Sequence, residues 1–136
     1  MTVAIAQAVV AIKMKKLLIL VFMLSIQTQA IAKHQYPEKD YQKYWCDINN
    51  GITEYRLNDS TRIDCLTNEY AIEFDFANKW AESIGQALYY GIMTCKKPGI
   101  VLILENPKKD LKYLNRLKEV AKEHNITIWT IMPNSL

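Results

Sequence analysis

Residues 62–90 read RIDCLTNEYAIEFDFANKWAESIGQALYY, and the change of period inside this stretch decides the fold. Arg62, Asp64 and Leu66 alternate with Ile63 and Cys65, and Glu73 and Asp75 alternate with Ile72, Phe74 and Phe76. A period of two with acids on one face predicts two half-buried strands. The link between them, Thr67 to Tyr70, is short and carries Asn68. Antiparallel pairing is therefore expected, bringing Asp64 opposite Glu73 or Asp75. From Asn78 the period becomes helical: Trp80, Ile84, Leu88 and Ile92 fall on one face, with Asn78 as the expected N-cap. Lys79, Glu82, Gln86 and Tyr90 form a second, polar stripe that begins beside the acidic end of the second strand.

Three carboxylates and a lysine thus share one corner. Carboxylates this close repel one another unless a cation lies among them, and hard oxygen ligands on a rigid strand pair suit magnesium. Working outward toward the N-terminus, Tyr41, Tyr44, Trp45 and Ile48 have helical spacing, so Glu38 to Asp47 reads as a first helix ended by Asn49, Asn50 and Gly51. Ile52 to Leu57 alternates as a strand, and Asn58, Asp59 and Ser60 turn it into a second over Thr61 to Thr67. Glu54 then lies on the first strand of a three-stranded meander whose third strand is Ala71 to Ala77.

Beyond the long helix, Lys79 to Thr94, the run Lys96, Lys97, Pro98, Gly99 is a stop. Ile100 to Leu104 is unbroken apolar sequence, as a strand buried on both faces requires. Asn106 and Pro107 open a helix over Asp110 to His124 with Leu111, Leu114, Leu117 and Ala121 toward the sheet, and Ile126 to Ile131 closes the chain. The order helix-strand-strand-strand-helix-strand-helix-strand predicts an α/β sandwich with a mixed central sheet of about five strands, ending in a right-handed unit with parallel strands.

Composition narrows the surroundings. The chain has 136 residues, half of them hydrophobic, which suits one domain with its own core. Met14, Lys15 and Lys16, the apolar stretch Leu17 to Leu24 and the small-residue site Ala30, Ile31, Ala32 have the layout of a secretory signal peptide over residues 1–32. Met14 is an alternative start, and residues 33–136 are the expected mature domain. The apolar stretch is too short to span a bilayer, so no stable membrane association is expected after cleavage. Of 17 basic and 14 acidic residues, Lys13, Lys15 and Lys16 and no acid fall in the leader, which leaves 14 of each. A near-neutral domain has no bulk field for polyphosphates. The local candidate for such a surface is the row Lys108, Lys109, Lys112 and Arg116.

Cys46, Cys65 and Cys95 remain after cleavage. In an oxidising compartment one disulfide and one thiol is the simplest arithmetic. Cys46 with Cys65 is the favoured pair, because Cys46 ends a segment that packs beside the first strands; three separate buried thiols are the alternative. Zinc is not expected: there is no C-x-x-C, and His34 and His124 are far apart in sequence.

The order of elements and the acids on strands two and three resemble the PD-(D/E)XK nuclease superfamily, over roughly residues 38 to 105. Ile63-Asp64 stands where that family has Pro-Asp, Glu73-Phe74-Asp75 stands where it has (D/E)-x-K, and Gln86 and Tyr90 match the Q-x-x-x-Y helix motif of the RecB-like branch. The resemblance implies a restriction-endonuclease-like three-layer sandwich. It departs from the pattern at Asp75, which replaces the motif lysine; in this superfamily the lysine can migrate to the following helix, where Lys79 stands. The implied catalytic set is Asp64, Glu73, Lys79, Gln86 and Tyr90. The implied ligands for Mg2+ or Mn2+ are Asp64, Glu73 and Asp75, with Glu54 as an accessory acid. Lys79 would position the attacking water or steady the transition state, and Gln86 and Tyr90 would orient the site or touch the phosphate.

Alternating acids on a strand are ordinarily a solvated face, and an i, i+4 pair such as Gln86 and Tyr90 is ordinarily a surface pair. Two functional expectations follow. One is an exported, periplasmic or secreted magnesium-dependent nuclease acting on nucleic acid, with DNA favoured over RNA and a homodimer as one way for so small a domain to grip a duplex. The other is a catalytically inactive protein of the same fold, serving as a binding or structural module in the periplasm.

Overall fold

The chain is described here by a computed structural model covering residues 34–136 and the single earlier position Met14. The leader expected over residues 1–32 lies outside the described stretch. Helix α1 spans Glu38–Ile48, followed by β1 (Ile52–Arg56), β2 (Arg62–Leu66) and β3 (Tyr70–Phe76). A 3-10 turn, Ala77–Lys79, leads into α2 (Trp80–Thr94), and then come β4 (Lys97–Ile103), α3 (Pro107–Glu123) and β5 (Thr127–Ile131). The strands lie side by side in sequence order. The first three pair antiparallel, and β3–β4 and β4–β5 pair parallel. The predicted element order and mixed five-stranded sheet are those observed.

Alternation along the strands divides the core in two. Ile72, Phe74 and Phe76 of β3, Val101 and Ile103 of β4 and Ile131 of β5 cluster with Tyr41 and Cys46 of α1. Ile100, Leu102 and Leu104 cluster instead with Ala87 of α2 and Leu114, Leu117 and Ala121 of α3. Helices on both faces of the sheet are compatible with a three-layer sandwich. Every residue from Ile100 to Leu104 is buried, each large one contributing roughly 1.5–3 kcal/mol. This is the doubly covered strand that the apolar run predicted.

A disulfide joins Cys46 of α1 to Cys65 of β2, and Cys95 is a free, exposed thiol. Gly51 closes over the sulfurs: a Cβ there would fall 2.5 and 2.6 Å from the two Sγ atoms. The disulfide fits a secreted protein. Among the described residues no helix is long and apolar enough to cross a membrane.

Several boundaries and faces differ from expectation. Asn78 lies inside the 3-10 turn and does not cap α2, whose N-cap is Lys79 with no side-chain cap bond. The deeply buried positions of α2 are Ser83, Ala87, Tyr90 and Gly91, while Trp80, Ile84 and Leu88 are only partly buried and Ile92 is 75% exposed. The helix is rolled because it packs on β3 and β4 and also beside α3. Its small residues allow close approach to the sheet: a Cβ on Gly91 would meet Pro98 of β4 at 3.3 Å. Strand β4 begins at Lys97, not Ile100, with Pro98 opposite Ala71 and Gly99 opposite Ile72. Helix α3 begins at Pro107, not Asp110, because Asn106 and Asp110 cap it reciprocally. Asn106 Oδ1 accepts the Lys109 N–H at 3.2 Å, and Asp110 Oδ2 accepts the Asn106 N–H at 2.8 Å. Leu111, expected toward the sheet, is exposed.

Candidate active site

Strands β2 and β3 pair only at Cys65↔Ile72 and Leu66↔Ala71. Continued, that register sets Asp64 opposite Glu73, but the ladder stops there. Asp64 Oδ2 accepts the Phe74 N–H at 2.8 Å, so a side chain replaces the backbone acceptor. The Asp64 carbonyl accepts from Gln42 Nε2 at 2.6 Å, and the same amide reaches Glu54 Oε1 at 3.1 Å. On the other side, β1 pairs with β2 at Thr53↔Cys65 and Tyr55↔Ile63. Between them Glu54 has φ 55°, a left-handed conformation that non-glycine residues rarely adopt. The meander opens at Asp64, and side chains of α1 complete it.

Glu73 and Asp75 point away from the Phe74 and Phe76 face yet are only 6% and 5% exposed. Among the described residues Glu73 Oε2 is the one buried side-chain polar atom without a hydrogen-bond partner. Burial pushes the Asp64 and Glu73 carboxyls up from the ordinary range; the neighbouring Asp64 charge pushes Glu73 further, whereas the Phe74 N–H holds Asp64 back. Burial takes Asp75 to about 7 against the opposing pull of Lys79. The Lys79 ammonium stands 3.8 Å from Asp75 Oδ1 on a side chain 51% exposed. Burial, reinforced by Glu73 and Asp64, raises the Tyr90 hydroxyl to about 12. Glu38 of α1 is a further carboxylate at this corner, raised by burial and lowered by Lys79 and His34.

The structure therefore gathers Asp64, Glu73, Asp75, Lys79 and Tyr90. Gln86 is exposed on the outer flank of α2, with no hydrogen bond among the described residues. Glu54 is engaged elsewhere: Arg62 Nη1 lies 2.6 Å from its Oε2, and Gln42 holds its other oxygen. Sequence reading missed Glu38 and Gln42. Their signal was the spacing of Glu38, Gln42 and Cys46, four apart and hence on one helix face. Among the described residues no three His, Cys, Asp or Glu side chains stand ready to hold a metal ion. The donor set nevertheless fits a hard divalent cation, being oxygen-only, mutually repelling and carrying one buried carboxylate oxygen with nothing to bind.

No protein-family model, curated protein or solved structure matches the chain. The functional reading rests on the chemistry of the corner itself.

Proposed function

We propose that the chain is an exported, Mg2+- or Mn2+-dependent nuclease-like enzyme of the PD-(D/E)XK superfamily, with a restriction-endonuclease-like fold. It hydrolyses phosphodiester bonds of DNA in the periplasm or outside the cell. One observation carries the reading: Glu73 is buried close to Asp64 with one carboxylate oxygen unpartnered. A buried carboxylate without a partner is unfavourable by several kcal/mol unless it is protonated or meets a cation. Asp64 and Glu73, joined by Asp75, are the residues that would hold Mg2+ or Mn2+. When bound, the ion supplies an acidified water and positive charge for the reacting phosphate.

The other groups have roles that follow from their surroundings. Lys79 is half exposed beside Asp75 and would meet either the attacking water or the phosphate. Tyr90 retains its proton at neutral pH, because its hydroxyl titrates at about 12, and acts as a hydrogen-bond donor. Gln86, one turn earlier and exposed, meets the substrate backbone. Glu54, paired with Arg62, supports Asp64 from outside the donor set. A domain of this size grips a duplex best as a homodimer.

Calorimetry with Mn2+ on the wild type, Asp64→Ala and Glu73→Ala tests the reading. Binding in the micromolar to millimolar range that disappears in both variants supports it, and plasmid cleavage lost in Lys79→Ala completes the enzymatic part. Absence of binding in a folded wild type removes it. The second reading, an inactive module of the same fold, draws on Asp75 standing where the motif lysine belongs and on the exposure of Lys79. Cation binding without cleavage would select it.

A further inference from the structure

Asp64 is held from α1 at two adjacent points. Gln42, 5% exposed, donates to the Asp64 carbonyl at 2.6 Å and to Glu54 Oε1 at 3.1 Å. One turn further along the same helix face, Cys46 is bonded to Cys65, the residue after Asp64. An amide and a disulfide thus staple α1 to the place where β2 leaves β3. Both cysteines are fully buried, and the Gly51 turn closes on the sulfurs. Reduction removes the covalent link between α1 and β2 at this point and leaves the Gln42 amide as the neighbouring tie.

We propose that the Cys46–Cys65 disulfide and the Gln42 amide form one positioning unit for Asp64, so that the acidic corner is assembled in the oxidised protein and comes apart on reduction. The chemical step is thiol–disulfide exchange: a dithiol reductant gives two electrons and two protons to the Cys46–Cys65 bond, leaving two thiols, and becomes a cyclic disulfide itself. The proposal rests on the reading of Asp64 as a cation ligand and adds its regulation. The chain is inert in a reducing compartment and becomes competent on reaching an oxidising one. Gln42 is a positioning residue, touching the Asp64 carbonyl and Glu54.

The Phe74 N–H, donated to Asp64 Oδ2, reports the position of Asp64 without any metal. Its hydrogen exchange is compared in oxidised wild type, in wild type reduced with dithiothreitol, and in Gln42→Leu with the disulfide intact. Exchange at Phe74 is expected to accelerate about tenfold or more in the last two while Leu102 in β4 keeps its protection, and Mn2+ affinity is expected to fall about tenfold in parallel. If reduction unfolds the chain, Gln42→Leu alone decides. Unchanged Phe74 exchange in folded reduced protein and in Gln42→Leu overturns the proposal. Equal Mn2+ affinity in all forms overturns it too, and leaves the cation reading standing. If oxidised wild type binds no Mn2+ while Phe74 still responds, the cation reading falls and the positioning of Asp64 is upheld.

Discussion

The two halves of the sheet follow different rules. Strands β3 and β4 pair without interruption from Tyr70↔Lys97 to Phe76↔Ile103, and β4 pairs with β5 from Gly99↔Thr127 to Ile103↔Ile131. In the meander, β2 and β3 share two residue pairs before parting at Asp64, and β1 carries a residue in left-handed conformation opposite the break. Strand β4 buries only apolar side chains; β3, shared by both halves, buries Glu73 and Asp75, and Gln42 is buried beside the irregular half. Stability and chemistry are thus placed on opposite sides of β3, which serves both. One face of β3 packs the core, and the other carries the acids. Regular pairing satisfies the backbone groups by one another, whereas an opened ladder exposes backbone groups that side chains must then satisfy.

Substitutions in each half sharpen this contrast. Leu102→Ala, in the regular half, is expected to destabilise by about 2–5 kcal/mol in denaturant unfolding, with the cation affinity of the remaining folded protein unchanged. Replacing Cys46 and Cys65 together by alanine removes a bridge with a sequence separation of 19, and about 2–4 kcal/mol should be lost in the same assay, this time with the acidic corner loosened. If Leu102→Ala weakened Mn2+ binding as much as the cysteine pair does, the division of labour would not hold.

Glu73→Gln should have the opposite sign. At pH 8 without cations it relieves a buried carboxyl that must ionise or carry its proton at a penalty, and a gain of about 1–3 kcal/mol is expected in thermal or chemical unfolding. The pH dependence has the same origin. Asp75 titrates at about 7 in the folded chain against an ordinary 3.8, so between these values the folded state holds more protons than the unfolded one. Stability is then complete below about pH 4 and declines as pH rises to about 7. In chelator the midpoint of melting should be lower at pH 8 than at pH 5, and Mn2+ should restore it at pH 8 far more than at pH 5, since the ion competes with protons. A midpoint that rose over this range would contradict the burial of these acids. The smallest effect is expected from Arg62→Ala: its pair with Glu54 is largely exposed, and a loss of under about 1 kcal/mol in urea unfolding is anticipated.

Most of the architecture was legible because it is periodic. Ile72, Phe74 and Phe76 against Glu73 and Asp75, and the run Ile100 to Leu104, announce their faces without any neighbour, and Asn106 with Pro107 announces a helix start. Tertiary context governed the rest. Trp80, Ile84, Leu88 and Ile92 are a sound helical stripe, yet α2 must serve the sheet and α3 together, so its small residues Ser83, Ala87 and Gly91 face inward and Ile92 is left outside. The acids of the corner could be named from alternation, but the role of Gln42 could not. It depends on a helix and a strand meeting at the point where a ladder fails, and no local pattern records an absent hydrogen bond. Glu54 shows the same limit: its place on β1 was readable, its engagement by Arg62 was not.

The simple strand order has a consequence for how the sheet is made. Each strand is bonded only to its neighbours in the chain, so nothing is inserted later between strands already paired, and the sheet can grow at one edge as the polypeptide is delivered from its N-terminal side. The longest pairing, β3 with β4, is also the one that sets Phe74 and Phe76 beside Val101 and Ile103 on one face. Until β4 arrives, β3 is the open edge of the sheet, although α1 and α2 precede β4 in the chain. The arrival of β4 closes that edge and leaves β4 open for β5.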